Sequence, residues 1–211
     1  DPIAHRDIVS SLAFSPDGNW LASGGYRIVK LWQRSAPLLQ RRKLDAPATV
    51  LAASSDGHWI AAGLGDGRIR VWDRQADSEG VVFQAHDAGP TAVAFNQDGS
   101  RVLSAQGPVL KQWNSATGEA AGQLTASSPV RGLQILPEGT RVASGHEDGI
   151  IRIWNIEQLT PPPAEGEETA APAPVQELAG HSKPVTAFAW STVEGPRLVS
   201  ASEDGTLRLW D

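Results

Sequence analysis

Five tryptophans mark out this chain at near-equal intervals. Trp32, Trp72, Trp113, Trp154 and Trp210 each close a short run of alternating residues, and successive members lie 40, 41, 41 and 56 positions apart. The runs read Ile28-Val29-Lys30-Leu31-Trp32, Ile69-Arg70-Val71-Trp72, Val109-Leu110-Lys111-Gln112-Trp113, Ile151-Arg152-Ile153-Trp154 and Leu207-Arg208-Leu209-Trp210. Such alternation sends successive side chains to opposite faces of a strand. A fixed period of about 40 residues means that one small structural unit is repeated along the chain.

Each unit has the same internal order. An apolar run (Ile8 to Phe14 in the first unit, Val50 to Ala53 in the second) leads into a turn such as Ser15-Pro16-Asp17-Gly18 or Ser54-Ser55-Asp56-Gly57. Asp-Gly is hairpin chemistry, because such turns need a residue at positive φ. A second short run follows, then the Trp strand, then a weaker fourth run such as Val81-Val82-Phe83. Four short strands per period and no convincing helix predict an all-β radial array. A β-sandwich would have no reason to repeat one Trp at this spacing.

The units resemble WD repeats, which carry Gly-His near the start and Trp-Asp at the end. Gly180-His181, Ser200, Asp204-Gly205 and Trp210-Asp211 make a complete unit, and Trp72-Asp73 is a second full ending. The resemblance implies a WD-repeat β-propeller with five four-stranded blades in this segment. It also implies a buried hydrogen-bond chain through His181, Ser200, Asp204 and Trp210, in which the indole N–H finds its partner. A Ser/His/Asp set invites a hydrolase reading, but no G-x-S-x-G elbow surrounds Ser200, so the set is read as structural. Other units depart from the pattern. Leu44 and Ala62 stand where unit two should have His and Ser, and Ala126 stands where unit four should have His. Units two and four are therefore expected to be the loosest, with His58 and His146 solvated in turns.

The repeats are placed at residues 1–34, 35–74, 75–115, 116–156 and 175–211 of a single propeller segment. The chain opens on Asp1 and contains no methionine. Both ends look cut, and the expectation is a piece of a larger, seven-bladed propeller with further domains in the same chain. The long spacing reflects an insert at 157–177, expected as a disordered Pro/Glu-rich loop. Its five glutamates carry no compensating base, so a net charge of −6 leaves about −1 on the propeller itself.

The absence of cysteine excludes disulfides, thiolate zinc sites, a Cys nucleophile and C-x-x-C-H haem attachment. It suits the cytoplasm and the bacterial periplasm equally. The His spacing offers no metal site, Gly63 to Gly67 lacks the lysine and helix of a phosphate loop, and Arg41-Arg42-Lys43 is the only basic run. No metal, cofactor, nucleic acid or membrane span is expected. A rigid surface remains. Ser10, Thr49, Thr91, Arg131 and Thr186 align at the starts of the innermost strands, with Glu147 and Glu203 on the same side. These positions are the expected face for a protein or peptide partner, and Arg131 is the strongest of them. The function expected is a non-catalytic interaction scaffold. The alternative is a propeller module in a multidomain bacterial enzyme, signalling or cytochrome-c-like protein. It rests on the strand from Gly24 to Trp32, which resembles repeats attached to cytochrome-c-like domains in exported bacterial proteins.

Overall fold

Alternating runs joined by tight turns can only fold back on themselves, and each sheet is an antiparallel meander in chain order. The computed structural model describes residues 8–15, 19–33, 36–76, 78–161, 172–191 and 197–211. Blade 1 holds β1 (Ser11–Phe14), β2 (Trp20–Gly25), β3 (Ile28–Gln33) and β4 (Ala36–Lys43). Blade 2 holds β5 (Ala48–Ala53), β6 (Trp59–Leu64), β7 (Arg68–Asp73) and β8 (Val81–Gln84). Blade 3 holds β9 (Ala92–Phe95), β10 (Arg101–Gln106), β11 (Val109–Asn114) and β12 (Ala120–Thr125). Blade 4 holds β13 (Val130–Ile135), β14 (Arg141–His146), β15 (Ile151–Asn155) and β16 (Gln176–Leu178). Blade 5 holds β17 (Val185–Ser191), β18 (Arg197–Ser202) and β19 (Leu207–Trp210), with no fourth strand among the described residues. The inner strands β1, β5, β9, β13 and β17 pack side by side in that order, giving an all-β propeller of five blades.

The core is a set of seams between neighbouring blades. Val29 and Leu31 of β3 pack with Leu51 and Trp72 of blade 2, and Ile69 and Val71 of β7 pack with Phe95 and Trp113 of blade 3. The next two seams place Trp154 against blade 3 and Trp210 against blade 4. Trp72, Trp113, Trp154 and Trp210 thus each belong to the seam with the preceding blade. Burying one such apolar side chain contributes about 1.5–3 kcal/mol, so repetition of the Trp strand repeats the main stabilising contact. The tight turns hold these seams closed. A Cβ on Gly67, at φ +88, would lie 2.0 Å from the His86 carbonyl oxygen, so only glycine fits there.

The insert does not begin as the disordered loop expected from Glu157 onward. Ile156–Gln158 form a short 3-10 turn, and the Asn155 side chain accepts the Glu157 N–H at 3.0 Å. Ile156 and Leu159 bury in the seam between blades 3 and 4, and the Gln123 N–H donates to the Thr160 carbonyl at 2.7 Å. Two apolar residues three apart outweigh the polar average of the segment. At the far end Glu177 lies in β16 and pairs with Arg152 at 2.8 Å. Residues 162–171, with most of the glutamates, lie outside the described residues.

Candidate functional site

The structure brings His181, Ser200, Asp204 and Trp210 together. Trp210 Nε1–H donates to Ser200 Oγ at 2.8 Å, His181 Nε2 lies 2.8 Å from the same oxygen, and His181 Nδ1 lies 2.9 Å from Asp204 Oδ2. A carboxylate only accepts, so Nδ1 carries the proton and Nε2 takes the serine O–H. Hydrogen bonds from the Thr206 hydroxyl, His181 and the Ser182 and Thr206 N–H groups hold the Asp204 carboxyl well below the usual carboxylate range, against a burial effect in the other direction. Ser200 is fully buried. Its oxygen faces an indole and an imidazole rather than an opening, so this Ser/His/Asp set holds a tryptophan in place.

Blade 4 builds the same chain by another route, which corrects the reading of His146 as a solvated turn residue. His146 is fully buried at the end of β14. Ser144 Oγ accepts the Trp154 Nε1–H at 2.7 Å and lies 2.7 Å from His146 Nε2, while His146 Nδ1 donates to the Ser128 carbonyl at 2.7 Å. Ser144 and His146 are two apart on one strand and so share a face. That period-two relation was the available signal. Burial pushes the His146 imidazole pKa down, opposed by the Ser128 carbonyl. Blade 3 uses His86, Ser104 and Trp113, with Ser104 Oγ 2.8 Å from His86 Nε2 and 2.9 Å from Trp113 Nε1. Burial, helped by the Lys111 ammonium, lowers His86 to about 4. In blade 1 Trp32 Nε1–H donates to Ser23 Oγ at 2.8 Å; His5 lies outside the described residues.

The seven expected partner residues are all exposed at one end of the blades, but the hydroxyls of Ser10, Thr49 and Thr91 are already engaged. Each start-of-strand residue sits at a β-bulge or at the residue just before the ladder. Thr49, Arg131 and Thr186 are the extra residues where the register shifts between Ala48 and Val50, Val130 and Gly132, and Val185 and Ala187. A bulge re-aims its side chain. Ser10 Oγ reaches the Ala48 carbonyl at 2.7 Å, Thr49 Oγ1 the Pro90 carbonyl at 3.3 Å, and Thr91 Oγ1 the Val130 carbonyl at 2.9 Å. Each hydroxyl also reaches a carbonyl of its own blade, so the three act as staples from one blade to the next. Arg131 interrupts the series. Its guanidinium pairs with Glu147 at 2.6 Å, both half exposed, and the Glu203 N–H, bonded to the Pro184 carbonyl, holds Glu203 at the equivalent place in blade 5.

At the opposite ends of the inner strands lies a cavity of about 470 Å³, walled by Phe14, Ala53, Phe95, Ile135 and Trp190, one from each blade. The indole Nε1 of Trp190 is buried there without a hydrogen-bond partner. Sequence reasoning placed no site at this end. Among the described residues no group of His, Asp or Glu is arranged to hold a metal ion, and no helix is long and apolar enough to cross a membrane.

Five segments, residues 3–33, 40–73, 78–114, 118–155 and 172–211, match the family model described as WD domain, G-beta repeat. The chain belongs to the WD-repeat family. It is similar to telomerase protein component 1 of Rattus norvegicus, 28% identical over 212 residues that cover 98% of this chain and 8% of that protein. It is similar also to a periodic tryptophan protein 2 homolog of Caenorhabditis elegans, 25% identical over 215 residues, 96% of this chain and 22% of the relative. The serine-threonine kinase receptor-associated protein of Gallus gallus is 24% identical over 213 residues, 99% of this chain and 56% of the relative. This WD-repeat chain thus spans less than two thirds of each of them. All three are eukaryotic, and the bacterial character expected from the Gly24 to Trp32 strand gains no support from them.

Proposed function

We propose that this WD-repeat chain is a non-catalytic platform that binds a protein or peptide partner. The contact face is the end of the blades that carries Ser10, Thr49, Thr91, Arg131, Thr186, Glu147 and Glu203. The observation that supports this reading is the exchange at Arg131. Where three other blades carry a hydroxyl tied inward to a carbonyl, blade 4 carries a half-exposed guanidinium paired with a half-exposed carboxylate. An exposed Arg–Glu pair contributes little to stability, about 0–1 kcal/mol. The same two charges can exchange partners with an incoming chain at small cost, and Arg is enriched where interfaces concentrate their energy. Burial of Ser200 supports the non-catalytic side of the reading.

A second reading treats the chain as one module of a larger protein whose chemistry lies elsewhere. The small share of the rat and worm relatives that it covers supports this. The contact face is tested by charge reversal. Arg131→Glu combined with Glu203→Lys is expected to weaken binding of a partner purified with the native protein by about tenfold or more, as for a lost interfacial charge. Titration by calorimetry reads the affinity directly. Unchanged affinity with the fold intact excludes this face as the contact surface.

A further inference from the structure

One place in the repeat reaches the cavity in every blade. It is the inner-strand residue that pairs with the second residue of the next strand. Phe14 pairs there with Leu21, Ala53 with Ile60, Phe95 with Val102, Ile135 with Val142 and Trp190 with Leu198. All five side chains wall the cavity. Four of them are large and apolar, and blade 2 has alanine. The room that an aromatic or branched side chain takes in the other blades is thus left open in blade 2.

The chemistry of the wall decides what can enter. Among the described residues no charged side chain lines the cavity. An ion brought in from water would find no counter-charge, which disfavours phosphates, carboxylates and amines. The polar side chains of the wall are largely engaged. Ser55 Oγ–H donates to the Gln97 carbonyl, Gln134 Nε2–H to the Ile135 carbonyl at 2.9 Å and Asn96 Nδ2–H to Ser100 Oγ at 3.2 Å, while Asn96 Oδ1 accepts the Arg101 N–H at 2.8 Å. A peptide backbone or a sugar, which needs many partners, finds few here. The volume of about 470 Å³ lies in the range of small-molecule sites, roughly 300–1,000 Å³. Apolar cavities take up apolar molecules.

Trp190 adds a specific feature. Four marker indoles donate to a serine hydroxyl of their own blade. The Trp190 Nε1–H has no acceptor, although it is buried. Protein atoms cover it as the half-buried ring stands, and a turn of the ring toward the cavity frees it to donate. A ligand oxygen there supplies the missing partner.

We propose that the cavity binds an uncharged, flat, largely apolar small molecule that presents one carbonyl or ether oxygen to Trp190. Ala53 makes the room, Phe14 and Phe95 supply aromatic walls, and the Trp190 indole sets the orientation. The site is separate from the contact face at Arg131, which lies at the other end of the inner strands.

Prodan, a neutral naphthalene ketone with environment-sensitive emission, is the probe. Fluorescence titration is expected to show one saturable site per chain. Ala53→Phe fills the cavity and should weaken binding about tenfold or more, and Ala53→Leu should weaken it less. Circular dichroism checks the fold of both variants. The Prodan analogue with propyl in place of propionyl lacks the carbonyl acceptor. It should bind the native protein roughly five- to tenfold more weakly than Prodan, as for one hydrogen bond lost. Trp190→Phe should remove that difference, and this comparison needs no change at Ala53. Prodan affinity unmoved by either folded Ala53 variant overturns the proposal. So does equal affinity of the native protein for the two naphthalenes, or displacement of Prodan by the anionic 1-anilinonaphthalene-8-sulfonate.

Discussion

A buried indole N–H needs an acceptor, and four of the blades supply a serine hydroxyl for it. Ser200, Ser144, Ser104 and Ser23 accept the indole N–H of their own blades. Blade 2 has Ala62 and Leu44 instead, both buried, a joint exchange that leaves no stranded hydroxyl or imidazole. Buried histidines make stability depend on pH. His86 has a pKa of about 4 when folded against 6.5 when free, and burial lowers His146 as well. The folded state therefore binds fewer protons than the unfolded chain between these values. Stability is full above about pH 6.5 and falls as the pH drops toward 4, by on the order of 2–3 kcal/mol for His86. Asp148 and Asp204, whose pKa values are lowered, lose their contribution only below the ordinary carboxylate value of 3.8. The urea midpoint should accordingly decline from pH 7 to 4.5, and His86→Leu with Ser104→Ala, the pair blade 2 uses, should flatten that decline. A midpoint independent of pH over this range would contradict the account. The network of blade 5 was legible because all four residues sit at expected places. His146 was not, because alternation along β14, rather than its place in the repeat, brings it to Ser144.

At the scale of the element, the start of each inner strand does more than turn the chain. Ser10, Thr49 and Thr91 tie neighbouring blades through backbone carbonyls, and each acceptor in the next blade immediately precedes that blade's own aligned residue. Continuing the series, a hydroxyl at position 131 would meet the Val185 carbonyl, which already lies close to blade 4, 2.6 Å from where a Cβ on Gly145 would be. Arg131→Thr should therefore stabilise the chain by about 0.5–1 kcal/mol, a hydrogen bond gained against a weak exposed ion pair lost. Thr91→Val should cost about as much in the opposite direction. Guanidinium denaturation of the two variants measures both, and a destabilised Arg131→Thr would break the series. The same substitution should weaken a partner that uses Arg131, which sets binding against stability at one residue. The tryptophans outside the marker set also act between elements. Trp20 and Trp59 lie beside Gly57 and Gly99, the turn glycines of the following blades, and Arg74 stacks over Trp20 at 4.1 Å.

For the whole molecule, equivalent positions have unequal energetic weight. Leu31 and Leu209 hold the same place in the repeat, yet only Leu31 is inside a seam. In the 211-residue chain, Leu31→Asp should cost several kcal/mol, about 4 or more, because a charge enters an apolar seam. Leu209→Asp should stay within about 0.5 kcal/mol. Thermal unfolding of the pair distinguishes them, and equal losses would mean that blade 5 is already covered. The strand pattern, the turns, the Trp period and therefore the blade architecture were present in the sequence, because each depends on residues within about 40 positions of one another. Fold class, repeat order and the blade 5 network follow from that local information. Two features required the blades to be set side by side: the hydroxyl staples between blades and the contrast between covered and open faces. Each is a contact between a residue and another strand or blade, and neither spacing nor alternation encodes which carbonyl, or which neighbour, stands opposite.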